Sequence, residues 1–464
     1  MPHTSSRVVI VGGGPGGYES ALVAAQLGAQ VTLVDSDGVG GSAVLTDCVP
    51  SKTLIATAEV MTDVEGAPEL GVEFSGDPHT TVRVDLARVN ARVKALASDQ
   101  SDDIARRLEK EGVTVVQGRG RLDGPDTVVV TGPDGGEAGL AADAVLLATG
   151  AAPRILPTAL PDGERILTWE QVYDLSELPE HVVVVGSGVT GAEFASAYLA
   201  LGAEVTLVSS RDRVLPGEDA DAAGVLEDVL TRRGMHVLSR ARMASVQRRG
   251  ELVEVTLTDG RTVEGSHCIL AVGSVPNTDR LGLDTAGVAT DDAGFVTVDR
   301  VSRTTARGVY AAGDCTGILM LASVAAMQGR IAMWHFLGDA VSPLDLRTVS
   351  SNVFTAPEIA TVGWSQHAVD QGEIDVRTVL LPLAGNARAK MQGVRDGFVK
   401  LFCRPGTGIV VGGVVVAPRA SELIYSVAIA VAESLTADQL AQAFTVYPSM
   451  SGSVAEAARR LHRV

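Results

Sequence analysis

The sequence predicts an α/β fold in which one strand-turn-helix-strand unit occurs twice and a separate α+β segment follows. Three observations carry this reading. The stretch Val8 to Asp35, "VVIVGGGPGGYESALVAAQLGAQVTLVD", aligns without a gap to Val182 to Ser209, "VVVVGSGVTGAEFASAYLALGAEVTLVS", with 15 of 28 positions identical. Two further apolar strands, in "VLLATGAAPRILP" (Val145 to Pro157) and "CILAVGSVPNT" (Cys268 to Thr278), each run into a glycine and proline turn. From about residue 346 the pattern changes to strand-like runs such as "IVVGGVVVAP" and helical ones such as "ELIYSVAIAVAESL".

Each repeat has a β-branched strand, a G-x-G-x-x-G turn, an alanine-rich helix and a second strand, "VTLV". The glycines are Gly12, Gly14 and Gly17 in the first copy and Gly186, Gly188 and Gly191 in the second. In such a turn the first glycine allows the tight bend and the second lets backbone approach a pyrophosphate. The third seats the helix whose N-terminus faces that anion. The full context, occurring twice, predicts two Rossmann-like dinucleotide-binding domains. The copies differ at the end of the second strand. Asp35 is an acceptor suited to a ribose diol, whereas Ser209 is followed by Ser210 and Arg211. No carboxylate stands there to repel a 2′-phosphate. Arg211 and Arg213 read equally as phosphate contacts or as solvated loop residues, so NADPH and NADH both remain open.

The two crossing segments carry Thr149, Gly150 and Gly273 and mark boundaries. They predict a first nucleotide domain over 1–150, a second over 151–272, a return to the first over 273–345, and a C-terminal α+β domain over 346–464. The segment "VYAAGDCTG" places Asp314 just past an apolar strand, before a helix expected to begin around Met320. At 464 residues the chain exceeds the roughly 250–300 residues at which one core stops growing, as a multidomain chain should.

Composition narrows the class. Hydrophobic residues at 46%, charged residues at 20% and 51 glycines fit a compact enzyme with many tight turns, not a disordered or fibrous chain. A net charge of -18 argues against a nucleic-acid partner, which needs a basic face. The longest apolar runs fall well short of the roughly 20 residues of a spanning helix, so no membrane span is expected. The start "MPHTSSRVVIVGGG" leaves no room for a secretory leader, which predicts a cytoplasmic protein. Cysteines 48, 268, 315 and 403 show no metal-ligand or disulfide-framework spacing, and the last three read as small core residues.

The first glycine turn, the segment "GGSAVLTDCVPSK", the second turn followed by Glu193, and "AAGD" together resemble the flavoprotein disulfide reductase family, which includes lipoamide dehydrogenase and glutathione reductase. The resemblance implies FAD in the first repeat, with Asp314 on the ribityl chain and Gly41, Ser42, Cys48, Thr149, Gly150 and Gly273 among the cofactor-binding positions. It implies NADPH or NADH as co-substrate in the second, a Lys52–Glu193 ion pair beside the flavin N5, and a C-terminal domain that builds a homodimer. Two departures stand out. The family reads G-G-T-C-x-x-x-x-C-x-P-S-K, and its two cysteines form the electron-accepting disulfide; here Ala43 takes the first cysteine position and only Cys48 remains. The family ends in H-P-T-x-S-E, whereas this chain reads "YPSMSG", so Tyr447 and Gly452 replace the acid-base pair supplied by the partner subunit.

Losing the thiol and its acid-base catalyst together implies that dithiol chemistry has been given up while the flavin apparatus is kept. The combination resembles in particular the lipoamide-dehydrogenase-like NAD(P)H quinone reductases of actinobacteria. It implies hydride transfer from NAD(P)H to flavin and electron delivery directly to a small quinone-like acceptor, in which the cofactor does the redox work. Two rival readings are a peroxidase or oxidase cycling Cys48 through a sulfenic acid, and a degenerate, flavin-bound structural subunit.

Overall fold

The computed structural model describes residues 5–76 and 81–462. The chain forms two compact units, one of Met1–Ser51, Ala91–Arg154 and Gly273–Asp345, the other of Lys52–Asn90, Ile155–Val272 and Leu346–Val464.

In the first unit, strand Arg7–Val11 is the centre of a five-stranded parallel sheet. Gln30–Asp35 and then Thr114–Gln117 lie on one side, Ala144–Leu147 and then Val309–Ala311 on the other. Central strands covered on both faces must be apolar throughout. Accordingly Val8 to Val11 and Ala144 to Leu147 are all at most 4% exposed. The strand order reverses between Arg7–Val11 and Ala144–Leu147, which opens a crevice at their carboxyl ends where ligands of such sheets bind. Helix Pro15–Gln26, with Pro15 preset for the first helical position, packs on helix Ala322–Leu337. The two backbones touch. A Cβ added at Gly329 would lie 2.2 Å from the Gly16 carbonyl.

In the second unit, His181–Val185 takes the same central place. Glu204–Val208 and His236–Leu238 lie on one side and His267–Leu270 and Ile166–Thr168 on the other, all parallel. The C-terminal segment adds an antiparallel sheet in the order Ser350–Val353, Glu358–Gly363, Val410–Ala417, Phe398–Cys403, Arg377–Pro382. One face is sealed by helices Ala420–Ala432 and Gly452–Leu461, through Ile424, Val427, Ala457 and Leu461.

Within the second unit, residues 155–272, 346–464 and 52–90 are joined by ion pairs, Lys400 with Asp219 and Arg233 with Glu65 among them. The helix expected around Met320 begins at Ala322. Leu319 sits at φ 41, and Leu321 N donates to Leu319 O at 2.7 Å, so a tight turn occupies the residues before the helix.

Candidate active site

The two glycine turns share the same close approaches. Gly12 (φ 105) and Gly186 (φ 115) occupy left-handed conformations, and a Cβ on either would lie 2.2 or 2.1 Å from the carbonyl of Ala148 or Ala271, just past the neighbouring strand of the sheet. A Cβ at Gly17 or Gly191 would lie 1.9 Å from the carbonyl of Gly12 or Gly186. Gly14 and Gly188 are the N-caps of helices Pro15–Gln26 and Val189–Leu201, and neither helix has a side-chain cap. The first-turn N–H groups therefore point out of both helices with no capping side chain, which is the arrangement an anion takes up.

In the first turn a second loop comes equally close. Gly40 N donates to Gly13 O at 2.8 Å, and a Cβ at Gly41 would lie 2.7 Å from Gly14 Cα. Ser42 follows, exposed, in the short helix Gly41–Leu45. Asp35 accepts from Gly13 N (2.6 Å), Asp37 N (2.8 Å) and Gly38 N (2.7 Å). A carboxylate offers about four acceptor positions, so one remains for a ribose hydroxyl. Thr149 and Gly150 (φ 69) follow the strand Ala144–Leu147, held by Asn277, whose side chain donates to Thr149 O and whose N–H donates to Gly150 O. Gly273 O accepts from Arg154 N at 2.9 Å, beside the two-stranded ribbon Ala151–Pro153 with Ser274–Pro276.

Asp314 opens a 3-10 turn immediately after strand Val309–Ala311, behind Gly313 (φ 82), whose N–H donates to Gln328 Oε1 at 2.8 Å. Burial, with Asp47 adding like-charge repulsion, pushes the Asp314 carboxyl up to about 6. A half-buried carboxyl of this kind suits polyol hydroxyls, because it accepts when ionised and donates when protonated. The close-approach glycines, the uncapped helix terminus, Asp35 and Asp314 together fit a flavin dinucleotide.

The second turn departs from the first in one coupled pair. A Cβ at Gly13 would crowd Asp35 Oδ2 at 2.9 Å. In the second copy Ser187 replaces Gly13 and Ser209 replaces Asp35, and their hydroxyls hydrogen-bond at 2.7 Å. Ser209 is fully buried and also accepts from Arg211 N at 3.1 Å, so it organises the loop and does not itself face a ligand. Arg211 is exposed, and Arg213 is partly buried with its guanidinium 3.5 Å from Pro216 O. Repeat alignment exposes Ser187 as the position that changes together with Ser209, and its role is invisible until the hydroxyls are seen in contact.

Lys52 follows Cys48 by one turn on helix Cys48–Gly66. Its Nζ lies 2.8 Å from Glu193 Oε2, on helix Val189–Leu201. Glu193 is 5% exposed, and its other oxygen accepts from Phe354 N at 2.9 Å. The Phe354 ring centroid lies 4.9 Å from Lys52 Nζ. One turn along the same helix, Ser196 Oγ accepts from Ala356 N at 3.2 Å. Phe354 belongs to this site and carries no sequence signal, since a lone phenylalanine after a strand reads as core.

Cys48 is a half-buried thiol, Ala43 lies in the helix before it, and Cys268, Cys315 and Cys403 are buried. Burial pushes the Cys315 thiol up to about 11 and raises that of Cys268. Tyr447 is 86% exposed, and Gly452 opens the helix Gly452–Leu461.

Residues 6–329 match the pyridine nucleotide-disulphide oxidoreductase family and residues 349–458 its dimerisation domain. The chain belongs to that family. Membership implies FAD and NAD(P)H. An NAD(P)H dehydrogenase (quinone) of Mycobacterium tuberculosis is 57% identical over 98% of this chain and 94% of its own length. The crystal structure of LpdA from Mycobacterium tuberculosis superposes with a TM-score of 0.94 at 56% identity, over 99% of this chain and all of that one. A dihydrolipoyl dehydrogenase of Chlorobaculum parvum is 34% identical over 97% of this chain and 96% of its own. The HOCl-induced flavoprotein disulfide reductase RclA of Escherichia coli shares the fold, with a TM-score of 0.86 at 24% identity over 98% of this chain and 99% of its own.

The raised Asp314 gives a pH signature. The folded carboxyl at about 6 lies above the ordinary 3.8, so between these values the folded state holds more protons and stability falls as pH rises. In flavin-free protein, Asp314→Asn should remove that slope, gaining on wild type by no more than ~3 kcal/mol above pH 6. Denaturant midpoints of both proteins from pH 4 to 7 check this, and parallel curves contradict it.

Proposed function

We propose that this protein is an FAD-dependent NAD(P)H:quinone oxidoreductase that works without a dithiol. The observation that carries the reading is a division within one site. The Lys52–Glu193–Phe354 arrangement and both nucleotide turns are complete, while Ala43, Tyr447 and Gly452 stand where dithiol chemistry needs its second cysteine and its acid-base pair. The 57% identity to a quinone dehydrogenase supports the acceptor class.

The first glycine turn, the Gly41 loop, Asp35 and Asp314 would hold FAD, and the second turn NAD(P)H. FAD when bound supplies the redox chemistry, taking hydride from the nicotinamide and passing two electrons to the acceptor. The chain's own contribution is orientation and charge. Glu193 fixes Lys52, Phe354 N–H fixes Glu193, and the Lys52 ammonium is kept as a preorganised positive charge that needs no reorganisation as negative charge develops. The Phe354 ring, 4.9 Å from the Lys52 Nζ, adds a cation–π contact to this pair. We infer further that residues 1–150 with 273–345 form the flavin domain, 151–272 the nicotinamide-nucleotide domain and 346–464 the interface of a homodimer. The C-terminal segment's exposed Phe444, Val446 and Tyr447 suit such an interface. No helix among the described residues is long and apolar enough to cross a membrane. We place the protein in the cytoplasm, where its reduced nucleotide is available.

The test is acceptor turnover. Purified holoenzyme should reduce a simple quinone with NAD(P)H and leave lipoamide and glutathione disulfide at background. Cys48→Ser should keep quinone turnover within a few-fold, whereas a hundredfold loss, ~2.7 kcal/mol, would restore a redox role to the thiol. Disulfide turnover comparable to quinone turnover would refute the reading.

We also infer that NADPH is used at least as well as NADH. No carboxylate occupies position 209 to repel a 2′-phosphate, and Arg211 is exposed on the same loop, where guanidinium geometry suits that anion. Because Ser187 fills the space a carboxylate would need, Ser209→Asp alone should impair both nucleotides. Ser187→Gly with Ser209→Asp recreates the Gly13–Asp35 pair and should shift kcat/KM toward NADH by about tenfold or more, ~1.4 kcal/mol. An unchanged ratio in the double variant contradicts the assignment.

A further inference from the structure

One fully buried cation takes no part in the chemistry above. Lys400 lies in strand Phe398–Cys403, every residue of which is buried, and is itself 2% exposed. Successive strand side chains alternate between faces. Val399, Leu401 and Cys403 pack under the C-terminal helices, so Lys400 points from the opposite face. There its ammonium donates to Asp219 Oδ1 at 2.9 Å, Asp219 Oδ2 at 2.7 Å and Asp221 Oδ2 at 2.7 Å, 5.6 Å from the Phe398 ring centroid. The Asp219 side chain is 3% exposed.

Asp219 has a second task. It is the N-cap of helix Ala220–Arg232, accepting from Asp221 N at 3.0 Å and Ala222 N at 3.2 Å. It also ends the loop that starts at Ser209 and carries Arg211 and Arg213. That loop is tied back to the glycine turn, since Leu215 N donates to Ser187 O at 2.8 Å. Leu215 is 1% exposed at φ 50, a conformation that a leucine keeps only where its surroundings over-determine it. Val214 N is held by Glu227 Oε2 at 3.0 Å, from the helix that Asp219 caps. The loop is thus clamped at one end by the Ser187–Ser209 contact and at the other by Asp219.

An apolar side chain at position 400 would avoid the desolvation cost of a buried ammonium, whereas removing the ammonium alone strands a buried carboxylate. We propose that Lys400 is a positioning residue for the nicotinamide nucleotide. It reaches from the C-terminal sheet to fix Asp219, and through Asp219 it fixes the 209–219 loop that presents Arg211 and Arg213 beside the second glycine turn. This rests on the reading that the second turn binds NAD(P)H.

Equilibrium binding of NADP+ to oxidised holoenzyme, by calorimetry, tests it in wild type, Lys400→Met and the double variant Lys400→Met with Asp219→Asn, which leaves no buried charge unpaired and keeps a cap acceptor. Lys400→Met should weaken binding about tenfold or more and raise the KM for NADPH in step, with kcat at saturation within about twofold. The double variant should show the same loss of affinity with a smaller loss of thermal stability. Binding within about twofold of wild type in both variants, or in the double variant alone should Lys400→Met not fold, would overturn the proposal and leave Lys400 a structural ion. A wild type that binds neither NADP+ nor NAD+ would overturn the functional reading and this inference with it.

Discussion

Both nucleotide turns depend on a contact that only a hydrogen atom permits. At Gly17 and Gly191 a side chain's first carbon would fall 1.9 Å from a carbonyl oxygen, inside any allowed approach. Because nothing larger than hydrogen is there, each helix starts directly against the end of its central strand. Its first-turn N–H groups therefore stand over the crevice where the strand order reverses. The loop of Gly41, the Asp35 carboxylate and the Ser187–Ser209 pair are arranged around this seating and have no meaning without it.

The second organising contact is ionic. Glu193 is buried, and a buried carboxylate is tolerable only when both oxygens are satisfied. Lys52 satisfies one and the backbone of Phe354 the other. The first repeat has the homologous Glu19, which pairs with Arg330 at 2.7 Å. One ancestral helix position thus carries an acid in both copies, used in one to join two helices and in the other to hold a lysine. The same unit shows the pattern again at Lys400, where a buried cation is acceptable because two aspartates meet it.

The repeat, the glycine turns and the parallel sheets were legible in the sequence because short-range pattern dictates them: β-branched strand, glycine spacing, alanine-rich helix. The position of Asp314 just past a buried strand was legible too, while a role toward a flavin came from the family resemblance alone. What stayed hidden depends on long-range pairing. Nothing local at Phe354 signals that its N–H meets Glu193, and nothing at Lys400 signals a partner 181 residues away. Ser209 was found, but as a ligand-facing residue; its full burial against Ser187 shows that it shapes the loop from within. The start of helix Ala322–Leu337 was displaced by two residues because a turn at Leu319 delays it.

The coincidence of complete nucleotide geometry with Ala43, Tyr447 and Gly452 leads to the central claim that electrons leave this protein from the flavin alone. The number of electrons the holoenzyme stores tests it most directly. A redox-active disulfide adds a two-electron couple to that of the flavin. Anaerobic titration of the holoenzyme with a strong reductant should therefore end at about two electrons per flavin, with no thiolate-to-flavin absorbance band at intermediate reduction. Uptake of about four electrons per flavin, accompanied by that band, would contradict the account and show that Cys48 has found a second thiol.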